Sequence, residues 1–305
     1  MEPFDLNKIP SQKGKLAIVT GANVGLGFET ALALAKKDIE IVLACRNMNK
    51  ASKAKAQIKK VYPDAKLKCL ELDLSKLDSV HAFAKQFHIH YKQLDLLINN
   101  AGIMMTPYEK TVNGFEGQLA ANYLGHFLLT SLMLDTLEKT EGSRTIMLSS
   151  LAHRKRTIQF DDLHFEKEYD PSAAYGQSKL ACLMFAYELD KRLKANKYQT
   201  KSLAVHPGVT LTNLISHFNP FIKLIAKFID PLLFASTKKA ALPTLRGALD
   251  PDIQGGEYIG PGGFREFKGP PVIVGSNKIS KDPKARKKLW DLSEKLVKKQ
   301  LFESV

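Results

Sequence analysis

Leu16-Ala17-Ile18-Val19-Thr20-Gly21-Ala22-Asn23-Val24-Gly25-Leu26-Gly27 carries the signal that decides the fold of this chain. An apolar, β-branched run leads into three glycines, and a helical pattern follows at once. Glycine lets the backbone turn sharply and approach a pyrophosphate, and the N–H groups of the helix start then face the anion. Three glycines alone are a weak signal; the strand–turn–helix context makes this one specific. Gly21, Ala22, Asn23, Val24, Gly25, Leu26 and Gly27 are therefore the candidate phosphate cradle.

Outward from this stretch, short apolar runs at 15–20, 40–44, 66–72, 94–98, 144–149 and 201–206 alternate with helical patterns. The helices are expected near 25–37, 48–61, 76–91, 113–138 and 173–195. Strands separated by helices imply parallel pairing through right-handed crossovers. Their near-continuous apolar character implies cover on both faces. The expectation is an α/β fold: a Rossmann-type doubly wound parallel sheet with helices on both faces. One domain is expected over 15–305, after an extension at 1–14. Ligands of such sheets sit beyond the carboxyl ends of the strands. Segment 207–275, rich in Pro, Asn, Phe and Ile and later in Gly and Pro, is expected to form loops and helices that cover a substrate.

The 305 residues are 44% hydrophobic and 25% charged, which supplies a full core and excludes a disordered chain. Three scattered cysteines make neither a disulfide framework nor a zinc motif. They fit a reducing compartment, and the expected location is cytoplasmic. The net charge of +14 favours an anionic partner, but the basic residues are spread along the chain rather than gathered in an arm. Nucleic acid is set aside on that ground. A basic helix over 281–305 has an apolar stripe of Leu289, Trp290, Leu292 and Leu296, by which it should dock. Residues 1–14 show no signal-peptide pattern. The apolar stretch 218–235 is interrupted by Lys223, Lys227, Asp230 and two prolines, so no transmembrane segment is expected and peripheral membrane contact stays open.

The second strand bears on the cofactor. A unit that binds NAD places an acid about 20 residues beyond the glycines to hold the ribose hydroxyl. This sequence has no Asp or Glu from Ile41 to Tyr62; the run ends in Cys45-Arg46-Asn47, with Lys50 and Lys53 beyond. An arginine there can clamp a 2′-phosphate in bidentate fashion. The cofactor expected is NADP(H), preferred over NAD(H), with Arg46 as the discriminating residue. Asp73 and Leu74 close the third run, where an acid can bond an adenine amino group. Asn99-Asn100-Ala101-Gly102 closes the fourth.

Tyr175 and Lys179 stand four apart in a helical pattern, so phenol and ammonium share a face about one turn apart. A neighbouring cation favours the phenolate, the form a phenol must visit to exchange its proton. Ser149-Ser150 ends the fifth run. His81, His88 and His90 are expected to line one polar helix surface. With no metal-ligand spacing in the chain, no metal is assigned.

Together these strings resemble the short-chain dehydrogenase/reductase family, whose glycine variant is G-x-x-x-G-x-G. The wording is closest to its retinol dehydrogenase-like branch, which also includes WW-domain oxidoreductases and relatives of protochlorophyllide reductase. The supporting strings are T-G-A-N-x-G-L-G, A-C-R-N, L-I-N-N-A-G-I-M, N-x-L-G-H-F, S-S-L-A-H, Y-x-Q-S-K-L and H-P-G-V. The resemblance implies Asn122, Ser150, Tyr175 and Lys179 as the catalytic set, with Ser149 as the fallback serine. Asn122 would sit in a helix irregularity, its carbonyl holding a water that links Lys179 to solvent. Asn100, Ala101 and Gly102 would line the cofactor, with Tyr175 and Lys179 also contacting it. Pro207, Gly208, Val209 and Thr212 would hold the nicotinamide end.

A counterpart of the membrane-anchoring amino-terminal helix of many vertebrate retinol dehydrogenases is not expected in this sequence, nor is a WW domain. A long interval between Ser150 and Tyr175 is expected to carry His153, Arg154, Lys155 and Arg156 over the site entrance. The activity implied is hydride transfer between nicotinamide and a carbonyl or alcohol, reducing a lipophilic aldehyde or ketone such as a retinal-like compound. A non-catalytic NADP(H)-binding regulator or scaffold on the same fold is the alternative. The helices near 113–138 and 173–195 form the dimer interface in many family members, which leaves open a homodimer or cover of those faces within one chain.

Overall fold

In a computed structural model, residues 4–209 and 235–302 are described. Thr212 and most of the apolar stretch 218–235 lie outside them. Among the described residues, eight strands form one sheet in the order β3-β2-β1-β4-β5-β6-β7-β8. The strands are β1 Leu16–Thr20, β2 Glu40–Cys45, β3 Leu67–Glu71, β4 Leu96–Asn99, β5 Arg144–Leu148, β6 Lys201–Val205, β7 Tyr258–Pro261 and β8 Pro271–Ile273. The first seven pair in parallel, and β8 returns antiparallel on β7. The α/β class and the doubly wound parallel arrangement are as expected. The six anticipated strands are all present, with ends shifted by a residue or two.

Helices α1 Gly25–Ala35, α2 Met48–Val61 and α3 Leu77–His90 make the first crossovers. The pattern over 113–138 resolves into α4 Gly117–Leu119, a π-helical turn Ala120–Leu124 and α5 Gly125–Glu138; α6 runs Pro171–Ala195. Asp170 caps α6 by accepting from the N–H groups of Ser172 and Ala173, and Pro171 opens it with its fixed φ. Two apolar cores flank the sheet, as both-face cover requires. One gathers Phe83, Phe87, Phe127, Phe185 and Trp290; the other gathers Leu34, Ile58, Leu245 and Ile253.

Two expectations are corrected. Segment 251–275 is not all loop, because Tyr258–Pro261 and Pro271–Ile273 extend the sheet. Their Gly and Pro content misled, but proline is tolerated at a sheet edge, where Pro271 sits. The basic helix is also shorter than 281–305. It spans Pro283–Val297 and stops where Lys298 turns left-handed. It docks by its stripe as expected: Trp290 stacks on Phe185 and meets Phe127 edge-on, and Ser293 bonds the Tyr123 hydroxyl at 2.7 Å. Helices α5 and α6 are thereby largely buried within one chain.

The register carries Thr20 beside Ala44, Val19 beside Ile98 and Leu148 beside Val205. The residues that follow, Gly21, Arg46, Asn100, Ser150 and Pro207, therefore emerge along one carboxyl-terminal edge. The sheet order reverses between β1 and β4, which opens the crevice there.

Candidate active site

The glycine stretch turns where positive φ is needed. Gly21 and Gly25 have φ of 66° and 58°, values that side chains rarely adopt. Gly27 is required for another reason: a Cβ there would lie 2.4 Å from the Gly21 carbonyl oxygen and 2.5 Å from Asn100 Nδ2. Helix α1 begins at Val24 with no side-chain cap, so its first N–H groups are left for an anion. Ala22 is buried, while Asn23 and Leu26 are half-buried and Val24 is exposed. A pyrophosphate fits this cradle.

Thr20 ties the cradle to β4. Its hydroxyl oxygen accepts from the N–H groups of Asn100 and Ala101, each at 2.9 Å, and its carbonyl accepts from Asn100 Nδ2 at 2.7 Å. The same hydroxyl lies 2.9 Å from His126 Nε2, and His126 Nδ1 lies 2.9 Å from the Asn122 carbonyl. A carbonyl only accepts, so Nδ1 carries the proton and Nε2 accepts from Thr20. Burial pushes the His126 pKa down to about 3, which keeps the ring neutral. Neither Thr20 nor His126 was picked from the sequence. The i,i+4 spacing of Asn122 and His126 was the available signal.

At the end of β2, Arg46 is exposed and has no ion-pair partner among the described residues. Asp73 binds the N–H and hydroxyl of Ser75 through Oδ1, and Leu74 is buried beside it.

Tyr175 and Lys179 lie on one face of α6, with Nζ 5.9 Å from the phenol ring centre. Lys179 is buried, and its ammonium donates to the Leu148 carbonyl at 3.0 Å. A Cβ on Gly102 would stand 3.2 Å from that ammonium and 3.1 Å from Asn122 Oδ1, so glycine admits both groups to the crevice. Asn122 sits in the π-helical turn, matching the irregularity implied by the resemblance. Its side chain exchanges two bonds with Ile103 and donates to Ser178 Oγ at 2.9 Å; Ser178 in turn donates to the Tyr175 carbonyl. Its carbonyl accepts from His126 Nδ1 and, at 3.2 Å, from Cys182 Sγ, so two protein donors already face the oxygen implied for a relay water.

The two serines differ. Ser149 is buried, with its hydroxyl committed to the Lys179 carbonyl at 2.8 Å. Ser150 is half-buried and caps the 3₁₀ turn Leu151–Lys155 by accepting from the Ala152 N–H. Past β6, Pro207, Gly208 and Val209 are half-buried, and the Val209 N–H donates to the Phe267 carbonyl at 2.9 Å. His153 is corrected: it does not hang over an entrance but is fully buried, its Nδ1 donating to the Ser150 carbonyl at 2.6 Å. With three residues per turn, a 3₁₀ helix points neighbours about 120° apart, and Arg154 and Lys155 stay exposed beside the buried His153. Of the three helix histidines, His81 and His90 are exposed, while His88 is half-buried against Thr136. Among the described residues no cluster of ligating side chains could hold a metal, and no helix is long and apolar enough to cross a membrane.

Comparison with known proteins follows the same lines. Residues 15–222 match the family described as short chain dehydrogenase. Retinol dehydrogenase 12 of Mus musculus is 39% identical over 286 residues, covering 93% of this chain and 86% of the relative. Retinol dehydrogenase 13 of the same species is 40% identical over 291 residues, covering 93% and 84%. Among solved structures, an uncharacterized protein from Mycobacterium paratuberculosis superimposes with a TM-score of 0.82 at 34% identity, covering 99% of this chain and all of that one.

Proposed function

The chain belongs to the short-chain dehydrogenase family, in its retinol dehydrogenase-like branch, and we propose that it is an NADP(H)-dependent oxidoreductase that reduces a lipophilic aldehyde or ketone. The observation that carries this reading is the Tyr175–Lys179 pair on one face of α6, with the Lys179 ammonium bonded to the end of β5, two residues before Ser150, while the glycine turn and Arg46 follow the ends of β1 and β2 in the same parallel sheet. In this reading Gly21 to Gly27 hold the pyrophosphate, Arg46 the 2′-phosphate, and Asp73 and Leu74 the adenine. Asn100, Ala101 and Gly102 line the middle of the cofactor; Pro207, Gly208, Val209 and Thr212 hold the nicotinamide end. The bound cofactor supplies or accepts the hydride.

The chain's own residues handle the proton and the charge. Ser150 donates a hydrogen bond to the substrate oxygen, stabilising charge where it develops. Tyr175 gives that oxygen its proton, and the nearby Lys179 ammonium stabilises the phenolate left behind. Asn122 braces the helix under Tyr175 through Ser178. Retinal-like compounds are the substrate class, supported by the relatives' names. A cytoplasmic location accompanies this reading, supported by three cysteines that are all unpaired.

The test is a titration of the purified protein with NADPH and NADH, for wild type and Arg46→Ala. Loss of a charge-assisted phosphate clamp costs about 1.5–3 kcal/mol, so NADPH affinity should fall by one to two orders of magnitude while NADH affinity holds. Equal affinity of the wild type for both nucleotides overturns the NADP(H) assignment. A panel of apolar aldehydes then separates wild type from Tyr175→Phe, whose turnover should drop about 10²–10⁴-fold with NADPH binding intact. Binding without turnover of any carbonyl selects the regulator reading.

A further inference from the structure

The tip of the β7–β8 hairpin is strained. Arg265 and Glu266 both have left-handed backbones, with φ of 49° and 59°. Each such non-glycine residue costs about 1 kcal/mol or more, and persists only where surrounding contacts hold it. The contacts here converge on the Glu266 carboxylate. One oxygen accepts from His206 Nε2 at 2.9 Å, and the other takes the Arg154 guanidinium. His206 is fully buried, and its Nδ1 accepts from the Gly208 N–H at 3.2 Å, which puts the ring proton on Nε2, facing the carboxylate. Burial pushes the Glu266 pKa up, but the bonds from His206 and Arg154 outweigh it and hold the carboxyl below its ordinary range.

These partners belong to two different walls of the site. Arg154 stands on the 3₁₀ turn that Ser150 opens, and its neighbour His153 donates to the Ser150 carbonyl. His206 ends β6 immediately before Pro207-Gly208-Val209. The hairpin reaches that loop a second time through the Phe267 carbonyl, which takes the Val209 N–H and would lie 2.3 Å from a Cβ on Gly208. Tyr258 of β7 fills the space between, with ring centres 5.6 Å from His153 and 5.2 Å from His206.

We propose that Glu266 is a positioning residue: through Arg154 and His206 it ties the Ser150 turn to the Pro207–Gly208–Val209 loop, fixing the separation of the substrate-oxygen and nicotinamide sides of the site. The proposal rests on the hydride-transfer reading for its purpose, and on geometry alone for the tie. It explains why two adjacent residues keep an unfavourable backbone, since a relaxed tip would withdraw the carboxylate.

The experiment compares full-length wild type, Glu266→Ala, Glu266→Gln and Phe264→Ser, the last an exposed residue of the same tip with no part in the tie. Amide hydrogen exchange without cofactor is the first readout. Faster exchange in both 150–156 and 206–209 in the Glu266 variants, with Phe264→Ser unchanged, supports the tie; faster exchange confined to 262–270 overturns it. Glu266→Gln keeps the side chain's shape should the alanine variant fold poorly. The second readout is kinetic. A site loosened by under an ångström should lose about tenfold in kcat, with NADPH affinity within twofold and a larger isotope effect from nicotinamide-deuterated NADPH. A variant that raises KM and leaves kcat and the isotope effect untouched also overturns the proposal. Wild type that binds NADPH yet reduces no carbonyl is a failure of the functional reading, and the exchange data still decide the tie.

Discussion

The two halves of the sheet are held together on different terms. In the half running β3-β2-β1-β4, the leading candidate residues come directly after their strands: the glycine turn after β1, Arg46 after β2, Asn100 after β4. In the half running β5 to β8, placement depends on partners far along the chain. Arg154 meets Glu266 across 112 residues, and Tyr123 meets Ser293 across 170. The first half is shaped by backbone turns, which short motifs encode. The second positions by long-range side-chain contacts, which no short motif can announce.

Three substitutions or conditions sharpen that contrast. The largest effect should come from Trp290→Ala, because the ring is 1% exposed and packs against Phe127, Phe185 and Phe302. Removing a buried aromatic side chain costs about 3–5 kcal/mol. Denaturant unfolding should show that loss, while the protein that remains folded binds NADPH as before. A large loss of cofactor affinity in the folded fraction would mean the halves are not separable.

The second effect is on pH. His126, His153 and His206 are all shifted down, each first by burial. For a histidine held neutral when folded, the unfolded chain binds the extra proton, so stability is full above about pH 6.5 and falls below it. Each contributes up to about 1.4 kcal/mol per pH unit. Thermal or urea unfolding at pH 7, 6 and 5 should therefore weaken steadily. Since His126 joins the first half and His153 and His206 the second, both should loosen together on acidification, and exchange confined to one half would break the comparison.

The smallest effect belongs to Thr20→Val, which keeps the shape but strands the Ala101 N–H, while the Asn100 N–H keeps its bond to the Ile98 carbonyl at 2.9 Å. An unsatisfied buried donor costs about 1–3 kcal/mol. The cost should appear mainly as weaker NADPH binding, measured by titration, with a modest fall in unfolding midpoint.

What was legible in the sequence divides along the same line. The six strands and the glycine cradle could be read because apolar runs and turn residues sit within a few positions of one another. Strands β7 and β8 could not: they are four and three residues long and interrupted by Gly260, Pro261 and Pro271, and only pairing with distant chain makes them strands. His153 looked like part of a basic surface string because one-dimensional order cannot say which side of a 3₁₀ turn faces inward. Thr20 and His126 were visible as letters of motifs, but their shared bond spans 106 residues. Glu266 had no local signal at all, since its left-handed backbone is imposed by its partners.

The bond sequence from Thr20 through His126 to the Asn122 carbonyl has a direction. Each hydroxyl or ring proton points the same way, and the last member has none to pass on. Such a chain is a poor proton wire: carrying charge along it would require a protonated imidazole that burial strongly disfavours. It acts as an insulator between the glycine turn after β1 and the π-helical turn that carries Asn122.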